Sequence, residues 1–127
     1  MKLVNISMFF KVFVGISGCF SVLFGAWLAH AGPLLLVKEQ TSLSSALEYQ
    51  FIHTLALLVV VVWNNTQPHR FLFFSASLFV LGILAFSGGI YLKTLFGFQA
   101  AGQFAPMGGI SMALGWLCLL FVGEKKS

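Results

Sequence analysis

The chain has 127 residues, of which 59% are hydrophobic and only 8% are charged. A soluble domain carries about a quarter charged residues, so this composition leaves too few polar side chains to cover a globular surface in water. It excludes a soluble enzyme, a nucleic-acid-binding protein and a disordered linker. The net charge of +4 comes from scattered basic residues, a distribution typical of membrane spans flanked by topology determinants.

Four apolar runs follow one another along the chain, and each is about as long as a membrane span. They cover roughly residues 8–31, 46–63, 71–92 and 104–122. Because backbone polar groups in hydrocarbon must be paired internally, each run is predicted to be an α-helix. We therefore predict an all-α membrane protein with a single domain, a four-helix transmembrane bundle. The first run is long for a signal peptide, so we interpret it as a retained span.

The basic residues are distributed unevenly between the two sides of this bundle. One side, which holds both termini and the second loop, carries five of them: Lys2, Lys11, Arg70, Lys125 and Lys126. The other side carries only Lys38 and Lys93. Because positive charge is enriched in cytoplasmic loops, this asymmetry predicts that both termini lie in the cytoplasm.

Local signals indicate where some helices begin. Ser45 and Glu48 have the spacing of a capping box, which predicts that the second helix opens there. Pro106 suits the first turn of the fourth helix, where its missing N–H group costs nothing. Trp63 and Trp116 are candidates for side chains at the depth of the membrane interface.

Small residues recur at helical spacing in three of the four runs, and such faces most often pack closely against another helix. They are Gly15, Gly18, Ser21 or Val22, Gly25 and Ala29 in the first run, Ser75, Gly82 and Gly89 in the third, and Gly108, Gly109, Ala113 and Gly115 in the fourth. We interpret these faces as packing surfaces; a ligand slot is the alternative.

Polar and ionisable side chains inside spans are costly, so each is a candidate functional residue. Several fall near one end of the predicted helices and could share one layer of the bundle. The candidates for ligand binding are His30, Glu48, Tyr49, Gln50, His53, Ser87 and Tyr91.

Structural interpretations stand beside the functional ones for these residues. Glu48 fits a cap, and His30 could bond the last carbonyls of its helix. Lys93 could extend to the interface or pair with Glu48. For His53, a hydrogen bond to Tyr91 or His30 is favoured over a ligand role. A metal site would need His30, His53 and a carboxylate to meet across helices, and we expect no acidic residue deep in a span. The cofactor, if any, is unknown from the sequence.

Four segments together resemble one known family. Residues 25–31 (GAWLAHA) resemble its G-A-x-x-A-H-A signature, and residues 49–57 (YQFIHTLAL) resemble Y-Q-x-x-H-A-L-A-L, with Thr54 in place of Ala. Residues 86–91 (FSGGIY) resemble F-S-G-S-x-Y, and residues 106–109 with Gly115-Trp116 resemble P-x-G-G…G-W. The chain is similar, over nearly its whole length, to the YgdD/YwdK-like family of small inner-membrane proteins, a domain of unknown function numbered four-two-three.

The resemblance implies a four-helix protein of the bacterial inner membrane, and it supplies no activity. It also implies that seven motif positions are the best site candidates: His30, Tyr49, Gln50, His53, Ser87, Tyr91 and Pro106. We expect a protein without catalytic machinery that associates with lipids, with a larger membrane complex or with a second copy of itself, and not with nucleic acid. The alternative is a site for a quinone-like molecule, a lipid head group or a metal on the His/Tyr layer.

Overall fold

The computed structural model describes residues 2–123, with side chains from Ser7 onward. Within these residues the chain is almost entirely helical and contains no strand. The predicted topology determinants Lys125 and Lys126, and the side chain of Lys2, lie outside the described residues.

Between residues 2 and 123, five α-helices joined by short 3₁₀ and π turns build the bundle. They are α1 (Lys2–Ala31), α2 (Val37–Thr66), α3 (Arg70–Gly82), α4 (Gly88–Phe96) and α5 (Phe104–Cys118). A π turn at Ile83–Ser87 joins α3 to α4, and 3₁₀ turns occupy Gly32–Leu34, Gln99–Gln103 and Leu119–Phe121. The four spans have 28, 30, 27 and 23 residues, enough to cross a bilayer. The predicted all-α fold with four spanning helices is confirmed.

The second helix begins at Val37, well before the predicted start at Ala46. Its N-cap is Leu36, which makes no side-chain cap hydrogen bond, and Ser45 lies inside the helix. The predicted capping box is therefore wrong. The physical reason is that polar residues 38–45 contain neither Gly nor Pro, so the helical hydrogen bonds continue beyond the apolar run.

This earlier start changes the position of Glu48. It lies eleven residues after Val37, or about 16 Å along the helix axis at 1.5 Å per residue. Glu48 therefore lies beyond the first turn of α2, where the capping box would have placed it. By contrast, Pro106 is the third residue of α5, so its predicted place in the first turn of that helix is confirmed.

Helix α2 packs against both α1 and the third span, and α5 packs mainly against the third span. The buried core near the N-terminal end of α1 contains Phe10, Leu57, Val60, Leu72, Ala76, Phe79 and Val80. These side chains come from α1, α2 and α3. The interior is thus a set of pairwise helix contacts built around α2 and α3.

The third and fourth spans approach each other through glycine. A methyl group at Gly108 would overlap the backbone of Phe86, and one at Gly115 would lie 2.7 Å from the ring of Phe79. Gly82 and Gly89 are buried on the same interface, as is Ser75. The predicted small-residue face of the third run is confirmed as a packing surface.

The small-residue face predicted on α1 packs inside the chain only in part: Ser21 is buried, and a methyl group at Gly25 would lie 3.4 Å from Leu47 of α2. Nothing lies within 4 Å of a methyl group placed at Gly15 or Gly18. The periodicity was the same on both helices, but it does not indicate whether the neighbour of a small residue is another helix or lipid.

Candidate functional site

The seven candidate residues do not form a single layer. Tyr49, Gln50 and His53 lie on α2, and Ser87 and Tyr91 contact α2 from the third span. His30 and Glu48 lie apart from these groups. Gln50 and His53 are each only 6% exposed, and they are the centres of two separate polar clusters. Each cluster recruits side chains from other helices.

The first cluster, here the Gln50 network, consists of Ser17, Gln50, Thr54 and Tyr91. The Gln50 side-chain amide donates to Ser17 Oγ at 3.0 Å, and its Oε1 accepts from the Tyr91 hydroxyl at 2.7 Å. Ser17 Oγ and Thr54 Oγ1 are 2.7 Å apart. The network therefore links α1, α2 and α4, near the middle of the first two spans and toward the end of the third.

Counting protons fixes the direction of these hydrogen bonds. Thr54 donates its one hydroxyl proton to the Gln50 main-chain carbonyl, at 2.6 Å. The Ser17 hydroxyl must then donate to Thr54 Oγ1 while it accepts from the Gln50 amide. Three side chains thus form a ring that closes through the Gln50 main-chain carbonyl, and the Tyr91 hydroxyl donates to the side-chain oxygen of Gln50. Each buried side-chain N or O atom of this ring has a hydrogen-bond partner within the described part of the chain.

The second cluster, here the His53 cluster, consists of Tyr49, His53 and Trp116. His53 Nδ1 lies 2.8 Å from the Tyr49 main-chain carbonyl, and the Trp116 indole N–H donates to His53 Nε2 at 2.9 Å. These partners assign a neutral imidazole with its proton on Nδ1. The predicted partners of His53, Tyr91 and His30, are wrong; the partner is Trp116.

Aromatic rings enclose the His53 cluster. The centroid of the His53 ring lies 6.0 Å from that of Tyr49, 5.5 Å from Phe79 and 5.8 Å from Trp116. The Tyr49 ring also lies 4.9 Å from that of Phe86, in the π turn. The Trp116 indole N–H is bonded to His53, although the Trp116 side chain is 45% exposed, and its place at the depth of the membrane interface stays a prediction.

Ser87 links the π turn to α2 by a hydrogen bond. Its side chain is 1% exposed, and its hydroxyl donates to the Ala46 main-chain carbonyl at 2.7 Å. A π turn inserts one extra residue into a helix and so rotates the side chains that follow. The turn at Ile83–Ser87 thus lies between the two clusters and adjusts the direction of Tyr91.

His30 and Glu48 lie outside both clusters. His30 is exposed at the end of α1, and Glu48 is exposed beside a depression of about 400 Å³ lined by Ser21, Gly25 and Phe51. Among residues 7–123 no group of three or more His, Cys, Asp or Glu side chains could hold a metal. Both ring nitrogens of His53 are occupied by hydrogen bonds, so the proposed pairing with His30 has no geometric support.

A lateral groove of about 350 Å³ lies between α1 and the third span. Apolar side chains form its walls, including Phe13 and Leu84, and Ser17, Gln50, Ser87 and Tyr91 form its floor. Aromatic pairs bridge the two helices at its ends, with Phe10 against Phe73 at 6.0 Å and Phe24 against Tyr91 at 5.1 Å. The groove opens toward the region that lipid occupies and has an almost entirely apolar surface, because the floor atoms bond one another.

The sequence analysis missed Ser17, Thr54 and Trp116 as members of these clusters. Ser17 and Ser21 are four residues apart on α1, as are Gln50 and Thr54 on α2. Residues at this spacing share a helix face, so matching polar pairs on adjacent helices were a usable signal. No comparable signal pointed to Trp116, which is 63 residues from His53.

Comparisons with known proteins agree with this architecture. The model of a family described as "Protein of unknown function (DUF423)" matches residues 24–109. The chain belongs to the DUF423 family. It is 34% identical over 115 residues to the "UPF0382 membrane protein" of Haemophilus influenzae, covering 90% of this chain and 91% of that protein. It is 32% identical over 121 residues to the "UPF0382 inner membrane protein YgdD" of Escherichia coli K12, covering 94% and 92%.

A Gram-positive relative, the "UPF0382 membrane protein SAB0533" of Staphylococcus aureus, is 30% identical over 102 residues, covering 80% of this chain and 83% of that protein. No solved structure matches the chain. These findings and the four spans identify a multi-pass protein of the bacterial inner membrane. The DUF423 match includes Gln50, His53 and Tyr91, whereas Ser17 and Trp116 lie outside it.

Proposed function

We propose that this DUF423 protein is a lipid-associated accessory protein of the inner membrane, and that its lateral groove holds one apolar lipid chain. One observation carries the proposal: α1 and the third span are held apart over a groove of about 350 Å³, at the lower end of the volumes typical of ligand pockets. The groove faces hydrocarbon, so a lipid chain reaches it by lateral diffusion.

The chemistry of the floor favours a chain over a polar head group. Gln50, Ser17 and Thr54 satisfy one another in a ring, and Tyr91 donates to Gln50. A ligand that replaced Ser17 or Tyr91 as a partner of Gln50 would have to break one of these bonds, at a cost of about 1 kcal/mol for each bond lost. An apolar chain fills the groove without disturbing it.

The test is purification in mild detergent followed by mass spectrometry of co-purifying lipids, quinones and proteins. Wild-type protein is expected to retain lipid in near-stoichiometric amount. Gly88→Leu is expected to lose most of it, because Gly88 lines the groove and a side chain there meets open space. Gly109→Leu is the matched control, since Gly109 is also a helical glycine with nothing within 4 Å but is not among the groove-lining residues.

Three outcomes would contradict the proposal. Lipid retention that is equal in Gly88→Leu and Gly109→Leu would remove the groove as the binding site. A stoichiometric protein partner without lipid would favour the accessory-subunit interpretation alone. A stoichiometric quinone would favour the alternative ligand, for which Tyr91 and Gln50 provide a hydroxyl and an amide at the groove floor.

A further inference from the structure

A further cavity lies at the end of the bundle where α2 begins and α4 ends. It has a volume of about 410 Å³ and is separate from the lateral groove. We call it the polar cleft and define it by six of its lining residues: Lys38, Glu39, Ser42, Lys93, Thr94 and Gln99. From this cleft we infer a binding site for the head group of an anionic phospholipid.

The charges of the cleft favour an anion. Lys38 comes from the first turn of α2 and Lys93 from the last turn of α4, so two cations from separate helices line one cavity. Glu39 is the single carboxylate among the lining residues. The lining residues therefore carry one net positive charge, and the hydroxyls of Ser42 and Thr94 add hydrogen-bond donors for phosphate oxygens.

The cleft is built by close backbone contacts. Gly97 ends α4 with φ of 76°, and the N–H of Phe98 bonds back to the carbonyl of Leu92 at 3.1 Å. The 3₁₀ turn that follows presses onto α4: a methyl group at Gly89 would lie 2.7 Å from the carbonyl oxygen of Ala101. These backbone contacts fix the position of the chain that forms this side of the polar cleft.

Gly102 positions one of the two cations. The aliphatic stem of Lys93 lies across Gly102, and a methyl group there would stand 2.7 Å from Lys93 Cδ. The absence of a side chain at residue 102 thus allows the lysine to lie flat along the cleft. A substitution that restores a methyl group would displace the lysine without changing any charge.

The position in the membrane favours a lipid over a soluble anion. The second span begins at Val37 and the third ends at Phe96, so both lysines lie at the level where head groups meet hydrocarbon. Apolar side chains next to the cleft remain largely exposed, with Leu36 at 70%, Phe96 at 67% and Phe98 at 61%. A ligand with an anionic head and apolar tails matches both surfaces.

The experiment measures head-group selection on the whole protein. Purified protein in non-ionic detergent is mixed with phosphatidylglycerol and phosphatidylcholine of identical chains, and bound lipids are counted by native mass spectrometry. Wild-type protein is expected to prefer phosphatidylglycerol. Lys38→Gln and Lys93→Gln are each expected to reduce that preference about fivefold, since a lysine near an anionic lipid contributes about 1 kcal/mol.

Two controls separate a built site from general surface charge. Lys11→Gln makes the same change in net charge at an exposed lysine of α1 that does not line the cleft, and it is expected to leave the preference unchanged. Gly102→Ala keeps all charges and is expected to weaken the preference at least about twofold, because it displaces Lys93 from the cleft.

The inference is overturned if the two cleft lysine variants keep the wild-type preference, if Lys11→Gln lowers it equally, or if Gly102→Ala leaves it unchanged. Displacement of phosphatidylglycerol by millimolar inorganic phosphate would identify a site for free anions and would also overturn it. The proposal that the lateral groove holds a lipid chain is tested by a different measurement, the total amount of lipid that Gly88→Leu retains. Each idea can therefore fail without the other.

Discussion

Two helix interfaces of this protein are held together by different kinds of contact. Between α1 and α2, side chains bond to side chains, through Ser17, Gln50 and Thr54. Between the third span and α5, glycines bring the backbones together, and Ser75 reaches the main-chain carbonyl of Gly115 at 2.8 Å. A serine is too short to reach a neighbouring backbone unless the helices are close.

Because the contacts differ, the two interfaces are sensitive to different kinds of substitution. Lipid supplies no hydrophobic force that pushes helices together, so they associate through packing contacts and hydrogen bonds. The glycine interface depends on shape, because a methyl group added at Gly108 or Gly115 would overlap residues of the third span. The Gln50 interface depends on polar partners, and it leaves α1 far enough from the third span for the lateral groove to form.

The largest effect is expected at Gly108. Gly108→Ala places a methyl group against the backbone of Phe86, which cannot move aside without shifting the π turn. We expect a loss of about 1–3 kcal/mol in the free energy of unfolding. It is measured by unfolding in mixed SDS micelles followed by tryptophan fluorescence. Gly109→Ala, whose added methyl group meets nothing within 4 Å, should match wild type; equal losses in both variants would show that the interface is not tight.

A smaller effect is expected at Gln50. Gln50→Leu keeps a similar volume but removes the donor to Ser17 and the acceptor for Tyr91. We expect a loss of about 1–2 kcal/mol, near the upper range for hydrogen bonds between helices in membranes. Gln103→Leu, at an exposed position before α5, is the control in the same assay. Wild-type stability in Gln50→Leu would mean that α1 and α2 associate without the network, and the contrast between the two interfaces would disappear.

The sequence was sufficient to predict the fold class, and it marked Gln50 as a polar residue inside a span that needs an explanation. Apolar runs reveal spans because hydrocarbon requires internally paired backbone, and a buried amide in such a run needs partners. The start of α2 could not be predicted from hydropathy. Residues 38–45 are polar apart from Leu43, so hydropathy excludes them from the apolar run, yet they contain no Gly or Pro that would break a helix.

The pairing of His53 was also beyond the sequence. Whether its ring meets Tyr91, His30 or Trp116 depends on how far each helix is rotated about its own axis. That rotation is set by the glycine contacts of α5 and by the extra residue of the π turn at Ile83–Ser87. A residue pattern predicts which side chains share a face, but it does not predict which face meets which neighbour.

The smallest effect is expected on the outer face of α1. The double variant Gly15→Ala/Gly18→Ala adds methyl groups that meet no atom of the chain within 4 Å, so stability in dilute detergent should stay within about 0.5 kcal/mol of wild type or rise slightly, because Ala favours helix over Gly. A marked loss of stability would contradict this and would place a neighbour on that face. If that loss grew with protein concentration, the neighbour would be a second copy, and α1 would use glycine packing between chains as α5 uses it within one.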